Sequence, residues 1–391
     1  MKRTLTILAM LSLLVSSAAF AQTRQKSMYS PKNYAFTELL NSPEITDHSV
    51  IFRVLAPNAK RVAITGSWEN FYTEQEMTKG ENGVWTYEMP LLPPDIYQYV
   101  FDIDGMVVLD PGNYSQTRDM YNYRSNLIIR GPGTEAYYSQ SSTEKGRLEK
   151  VWYPSKAFDG MRRATVYLPY GYETSGETYP VLYLQHGGGG DEEAWQTLGR
   201  ISEIMDYMIE NKLCKPMVVV LPNGNASEFA ACETALPDKF LFSFADPEFR
   251  TGAKYLRDLR GDLMPFIASN FRVRDDKAGR AVAGLSMGGG HTVTLMRESP
   301  ELFDYYGVFS AGGGRGRSNG PSPLEPLKKA GYKFLMVGVG PYDMAYNGGM
   351  DLVEALQAEK MPYTYYGEDL KSGHLWETWR KCILQFLPKL F

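Results

Sequence analysis

The chain has 391 residues, a length that suggests two domains. Hydrophobic residues make up 43% and charged residues 22%, so a sizeable core can be buried and a disordered chain is excluded. The formal net charge of −4 is small and gives no support to a nucleic-acid partner.

The first residues read as a targeting segment. Lys2 and Arg3 form a basic start, Leu5 to Val15 an apolar run, and Ala19-Phe20-Ala21 a small-x-small cleavage site. Residues 1–21 are therefore predicted to be a signal peptide cut before Gln22. The apolar run is short for a bilayer span, and no cysteine follows to carry a lipid anchor. The expectation is an exported chain, periplasmic or secreted, with no membrane association after cleavage.

Residues 22–130 predict a small all-β sandwich. Ser49–Leu55 alternates as a strand and runs into the turn Ala56-Pro57-Asn58-Ala59. Arg61–Gly66, Gly83–Glu88 and Ile96–Ile103 continue the series, with Asp104-Gly105 as a hairpin signal and Asp110–Asn113 as a closing turn. Strands at this spacing without helical patterns argue an immunoglobulin-like sandwich. Trp68 and Trp85 could stack on sugar here, although packing is the commoner use of such rings.

Residues 131–146 are polar and read as a linker. From 147 to 391 strands alternate with longer helical patterns. Strands are predicted at Thr165–Pro169, Val181–Gln185, Met217–Leu221, Arg280–Ala283, Tyr306–Ser310, Phe334–Gly338 and Tyr363–Tyr366; helices at Ala194–Glu210, Lys254–Asn270 and Leu352–Glu359. This is the grammar of an α/β domain with a mostly parallel sheet, whose ligands bind outside the carboxyl ends of the strands.

Gly284-Leu285-Ser286-Met287-Gly288 follows one such strand and opens a helix, the context in which a G-x-S-x-G serine is presented above a sheet. A serine hydroxyl needs a base to take its proton as it attacks. The chain has four histidines. His48 lies in the sandwich, and His186 belongs to the glycine loop that it precedes. His291 is five residues along the helix from Ser286, about 140° round, and points away. His374 remains, in a loop after the last strand. The acid that orients it belongs between 286 and 374, at a strand's carboxyl end, which favours Asp343 over Glu368 or Asp369. For the oxyanion, the N–H of Met287 and one from Gly187 or Gly188, in Gln185-His186-Gly187-Gly188-Gly189-Gly190, are in the right contexts. No G-K-[ST] ends that loop, so a phosphate-binding reading is weak. Cys214, Cys232 and Cys382 are an odd number and form no zinc pattern with histidine. No metal and no cofactor is called for.

Two resemblances follow from these motifs. "FRVLAPNAKRVAITGSW", "GVWTYEMPLLPPDIYQYVFDIDG" and "LDPGN" resemble the N-terminal module of glycogen-branching enzymes and isoamylases, a carbohydrate-binding-module family, over roughly residues 35–130. "YLQHGGGGDEEAWQTLGR", "MVVVLPNG", "GLSMGGG" and "GHLWETWR" resemble the first carbohydrate-esterase family, which holds feruloyl and acetylxylan esterases and is related to esterase-D-like α/β-hydrolases, over roughly residues 145–391. That resemblance implies Ser286 as nucleophile, Asp343 as acid and His374 as base. Many members carry Gly-Gly-His where Ser372-Gly373-His374 stands here, a change in loop shape.

The expectation is an exported serine carboxylester hydrolase. It would release ferulic or related hydroxycinnamic acids from plant cell-wall xylan, as feruloylated arabinoxylan or its oligosaccharides, with Trp195, Trp376 and Trp68 as substrate-binding aromatics. An acetylxylan esterase and a trilactone siderophore esterase are alternatives, the latter kept open by Arg315 and Arg317 because its substrate is a tri-catechol anion. A carbohydrate-binding protein with a decayed hydrolase domain is the non-enzymatic alternative, opposed by the intact serine, acid, base and glycine loop.

Overall fold

The strand Ser49–Leu55 buries Val50, Phe52 and Val54 and leaves the residues between them half-buried, the period-two signature of a strand with one face on a core. The computed structural model describes residues 40–119, 122–226, 228–231, 252–312 and 324–391. The expected signal peptide, Cys232, Arg315 and Arg317 lie outside them. The chain divides into two compact units. One takes the described residues up to Pro93 together with Gln98–Gln116 and Arg124–Ile129; the other takes Pro94–Tyr97, Thr117–Tyr123 and Arg130–Phe391.

The first is the all-β sandwich. Its strands are β1 (Glu44–Ile45), β2 (Ser49–Leu55), β3 (Val62–Gly66), β4 (Gln75–Glu76), β5 (Thr78–Lys79), β6 (Val84–Pro90), β7 (Asp95–Ile103), β8 (Met106–Val108), β9 (Gln116–Asp119) and β10 (Asn122–Ile129). They form sheets of order β1-β2-β6-β5 and β4-β3-β7-β10-β9, with β8 hairpinned onto β7. Asp104 and Gly105 turn that hairpin with φ of 52° and 88°, the two positive values that a two-residue I′ turn needs. Phe52, Tyr99 and Phe101 fill the core edge to face. Both tryptophans work as packing. Trp85 is buried and its indole donates to Ala56 O at 2.9 Å. Trp68 is half-buried, 5.6 Å from the Phe52 ring, and lies over Gly66, where a Cβ would come within 2.3 Å of the indole. Part of the Trp68 ring stays accessible beside this contact.

The second unit is built on eight strands in the order β11-β12-β14-β13-β15-β16-β17-β18. They are β11 (Arg147–Ser155), β12 (Gly160–Leu168), β13 (Val181–Gln185), β14 (Val218–Pro222), β15 (Arg280–Leu285), β16 (Tyr305–Phe309), β17 (Phe334–Gly338) and β18 (Thr364–Tyr366). From β14 onward all neighbours are parallel, and the strands are continuous apolar runs because the middle of such a sheet is covered on both faces. Helices α1 (Ile201–Glu210), α2 (Ala253–Asp258), α3 (Met264–Asn270), α4 (Met287–Glu298), α5 (Tyr346–Ala358) and α6 (Trp376–Phe386) complete the α/β domain.

Three expectations change. The sequence predicts here only a strand at Thr165–Pro169; the structure has an antiparallel β11–β12 ribbon that begins at Arg147 and pairs along its whole length. The helix expected over Ala194–Glu210 is broken: Ala194–Thr197 is one turn, and α1 restarts after Arg200, whose φ of 59° cannot continue a right-handed helix. Residues 131–146 are not a free spacer. Glu135–Tyr137 and Ser139–Ser141 form 3-10 turns, Tyr137 is buried, and Arg200 Nε donates to Tyr137 O at 3.1 Å.

Candidate active site

Parallel register places the site. Gln185 is level with Gly284, Leu285 with Phe309, and Phe309 with Gly338. The residues that follow, His186, Ser286, Ser310 and Val339, therefore leave the sheet in one row at its carboxyl edge. Ser286 has φ 51° and ψ −116°, a strained conformation of the kind held at functional turns at a cost of about 1–3 kcal/mol. Glycines permit the turn. A Cβ on Gly284 would lie 2.4 Å from the Gly288 carbonyl carbon, and one on Gly288 would lie 2.5 Å from His186 O.

His374 reaches both partners expected of it. Its Nε2 lies 2.9 Å from Ser286 Oγ and its Nδ1 2.8 Å from Asp343 Oδ1. A carboxylate can only accept, so Nδ1 carries the proton and Nε2 faces the serine with its lone pair. Asp343 sits on the turn after β17 and is only 4% exposed. Its Oδ1 accepts from Ala345 N–H at 2.8 Å and its Oδ2 from the Ser310 hydroxyl at 2.5 Å. Burial pushes its pKa upward, but the bonds from His374, Ser310 and Ala345 outweigh it and hold the carboxyl below its usual range. Glu368 and Asp369 are exposed and take no part in this bond.

Sequence reasoning missed Ser310 and Trp379. Trp379 Nε1 donates to Ser310 Oγ at 2.8 Å, and its ring stands edge-on to His374 at 5.1 Å and 90°. The available signal for Ser310 was its place at the carboxyl end of the strand predicted at Tyr306–Ser310.

The glycine loop lies beside the serine. A Cβ on Gly187 would be 3.2 Å from Ser286 Cβ and 2.5 Å from Leu285 Cδ1, so the backbone approaches closely because no side chain intervenes. Gly188 follows, and Gly189 takes φ 75°. His186 braces this loop from below. Gly224 N–H donates to its Nε2 at 2.7 Å, so Nδ1 holds the proton and donates to Gly187 O at 2.7 Å. Burial depresses its pKa, which keeps the ring neutral in that role. Asn225 Nδ2 adds a bond to Gly190 O at 2.5 Å. Met287, the first residue of α4, has an N–H with no acceptor inside the helix. His291 is buried against the Tyr255 ring with its pKa lowered by burial to about 3, so it stays neutral.

Trp195 and Trp376 do not offer faces to a substrate, contrary to expectation. Trp195 is 1% exposed and donates from Nε1 to Gln185 O at 2.9 Å. Trp376 is buried edge-to-face on it at 5.4 Å and on Trp379 at 5.0 Å. The three indoles form a wedge behind the site. Cys214 and Cys382 are free thiols, and among the described residues no group of three His, Cys, Asp or Glu could hold a metal ion. Nor is any described helix long and apolar enough to cross a membrane.

A family model for putative esterases matches residues 155–314, and one for carbohydrate-binding module 48, the isoamylase N-terminal domain, matches residues 41–114. A curated endo-1,4-beta-xylanase/feruloyl esterase of Xylanibacter ruminicola is 33% identical over 350 residues, covering 87% of this chain and 44% of that protein. The chain thus spans less than half of that relative. Among solved structures, the enterobactin esterase of Shigella flexneri superposes with a TM-score of 0.67 at 17% identity, over 90% of this chain and 97% of that one. A CE1 ferulic acid esterase of Anaeromyces mucronatus gives 0.56 at 20% identity, over 68% and 98%. At these identities the structural likenesses speak for the fold. Taken with the Ser286–His374–Asp343 row, the matches give the chain a serine-esterase domain of the esterase family, preceded by a carbohydrate-binding module 48 domain.

Proposed function

We propose that the protein is an exported serine carboxylester hydrolase that releases hydroxycinnamic acids, feruloyl groups first, from plant cell-wall xylan. The observation that carries the chemistry is the His374 ring, hydrogen-bonded to Ser286 on one side and Asp343 on the other. Ser286 Oγ attacks the ester carbonyl as His374 Nε2 takes its proton. Met287 N–H and Gly187 or Gly188 N–H receive the oxyanion. The tetrahedral intermediate collapses, the bond to the sugar oxygen breaks, and that oxygen leaves with the proton from Nε2. Water then attacks the acyl-enzyme, gives a proton to Nε2, and the acid departs as Ser286 regains its hydrogen. Asp343 stays ionised throughout and stabilises the imidazolium.

The acyl preference is supported by the relative at 33% identity, whose name couples xylanase and feruloyl esterase activity. Residues 1–21 as a signal peptide, and the module 48 domain as a polysaccharide contact, fit the same substrate. Acetylxylan and a catechol trilactone are the competing substrates. Rates of the purified enzyme on methyl ferulate, acetylated xylan and a catechol trilactone test the reading. Fast ferulate release supports it; acetyl or trilactone cleavage without ferulate release replaces it.

A further inference from the structure

A sixth tryptophan has no part in the wedge behind the serine. Trp152, on edge strand β11, is 43% exposed. The indoles of Trp85, Trp195 and Trp379 donate inside the protein, whereas that of Trp152 donates to no described residue.

Register fixes its height on the sheet. Val151 pairs with Ala164, Ala164 with Pro222, and Val220 with Tyr183, which puts Pro222 level with Gln185 and so with Gly284. Strand β11 runs parallel to β15 because two antiparallel steps separate β11 from β14. Trp152 therefore stands in the row of Leu285, one residue short of Ser286. Four strand spacings separate β11 from β15, about 19 Å. That is the length of a few pyranose rings in a chain.

Polar groups flank the indole. Lys150, two residues before Trp152, shares its face, as does Arg163, paired directly opposite Trp152. The Arg163 guanidinium lies 6.0 Å from the indole centroid and bonds Glu192 Oε1 at 2.5 Å and Glu193 Oε1 at 2.6 Å. Lys150 Nζ meets the same Glu193 oxygen at 2.6 Å. Arg163 and Glu192 are buried, whereas Lys150 and part of Glu193, which continues from the Gly187–Gly190 loop, face solvent beside the indole. An exposed indole flanked by the Lys150 ammonium and the Glu193 carboxylate suits a sugar. The C–H face of a pyranose stacks on the ring while its hydroxyls meet carboxylate and ammonium groups.

We propose that Trp152 is a distal subsite that stacks a sugar ring of the polysaccharide main chain while the ester of the same chain lies at Ser286. This rests on the esterase reading and names the polymer-binding residue for it. The prediction is a split between small and polymeric substrates. Trp152→Ala should raise KM on feruloylated arabinoxylan about 3- to 10-fold, as expected for one lost aromatic stack, and leave kcat/KM on methyl ferulate within about twofold. Trp152→Tyr should restore most of the loss. Binding of feruloyl-free xylo-oligosaccharides to the Ser286→Ala protein, measured by calorimetry with and without Trp152→Ala, reads the subsite without any reaction. Affinity that falls with Trp152 supports it. Unchanged affinity, or equal losses on methyl ferulate and polymer, overturns it. Failure of the unaltered enzyme on methyl ferulate would instead sink the esterase substrate reading, leaving the binding result to stand by itself.

Discussion

Ser310 Oγ lies 2.5 Å from Asp343 Oδ2, so the hydroxyl at the end of one strand holds the carboxylate at the end of the next. Because Trp379 Nε1 donates to the same Oγ, the hydroxyl hydrogen is directed at Asp343. Ser310→Ala removes a donor to the ionised form and leaves a buried indole N–H unpaired. The unpaired group costs about 1–3 kcal/mol of stability. Losing the donor also shifts the Asp343 pKa upward. That carboxyl is held low in the fold, so its contribution to stability is present above its unfolded pKa and lost as pH falls through its folded value. In Ser310→Ala the folded pKa lies closer to the unfolded one, so this contribution is smaller and its loss is complete at higher pH. Denaturant titrations of both proteins from neutral to acid pH check this, and parallel curves would refute it.

The Ser286–His374–Asp343 row makes a graded prediction. Ser286→Ala removes the nucleophile and should abolish turnover of methyl ferulate beyond a residual from the oxyanion donors. Asp343→Asn keeps the shape but presents an amide to His374, favouring the wrong tautomer, and should lower kcat by roughly 10⁴ with little change in KM. Steady-state kinetics on correctly folded protein decide it; near-native turnover by either variant would remove that residue from the mechanism.

Much of this was legible because it is local or obeys the order of the chain. Gly284–Gly288 identifies its own turn, and elimination among four histidines leaves His374, which the structure brings to Ser286. Asp343 followed from strand ends alone. What could not be read depended on packing across the sheet. Trp195 and Trp376 stand near the motifs in sequence, as a binding aromatic would, but only three-dimensional contact shows them buried on each other. Ser310 carries no motif, and its value comes from β16 lying between β15 and β17. The break at Arg200 was hidden because apolar periodicity persists on both sides of a single left-handed residue.

The glycine loop gives a third test. On Gly187 a methyl group would meet Leu285 Cδ1 at 2.5 Å and Ser286 Cβ at 3.2 Å. Leu285 Cδ1 can yield, but the serine cannot without leaving its turn. Gly187→Ala should therefore fold and bind yet lose about 10²–10³ in kcat, the scale of one misplaced oxyanion donor. A rise in KM at constant kcat would show that the loop serves substrate binding instead.

Glu228 offers a pH test remote from the triad. It is 8% exposed, and Asn225 Nδ2 donates both to its Oε2 at 2.8 Å and to Gly190 O at 2.5 Å. Burial, with the neighbouring charges of Asp191 and Glu192, outweighs its hydrogen bonds and raises its pKa from 4.5 to about 7. A group raised in the fold favours the folded state below its unfolded pKa, and that benefit is lost as pH climbs through the folded value. Between pH 5 and pH 8 the unaltered protein should lose up to about 3 kcal/mol from this group. Glu228→Gln still offers Asn225 an amide oxygen and cannot ionise, so its stability advantage should be small at pH 5 and large at pH 8. Denaturant midpoints at the two pH values measure the difference, and an advantage of equal size at both would show that Glu228 does not titrate in this range.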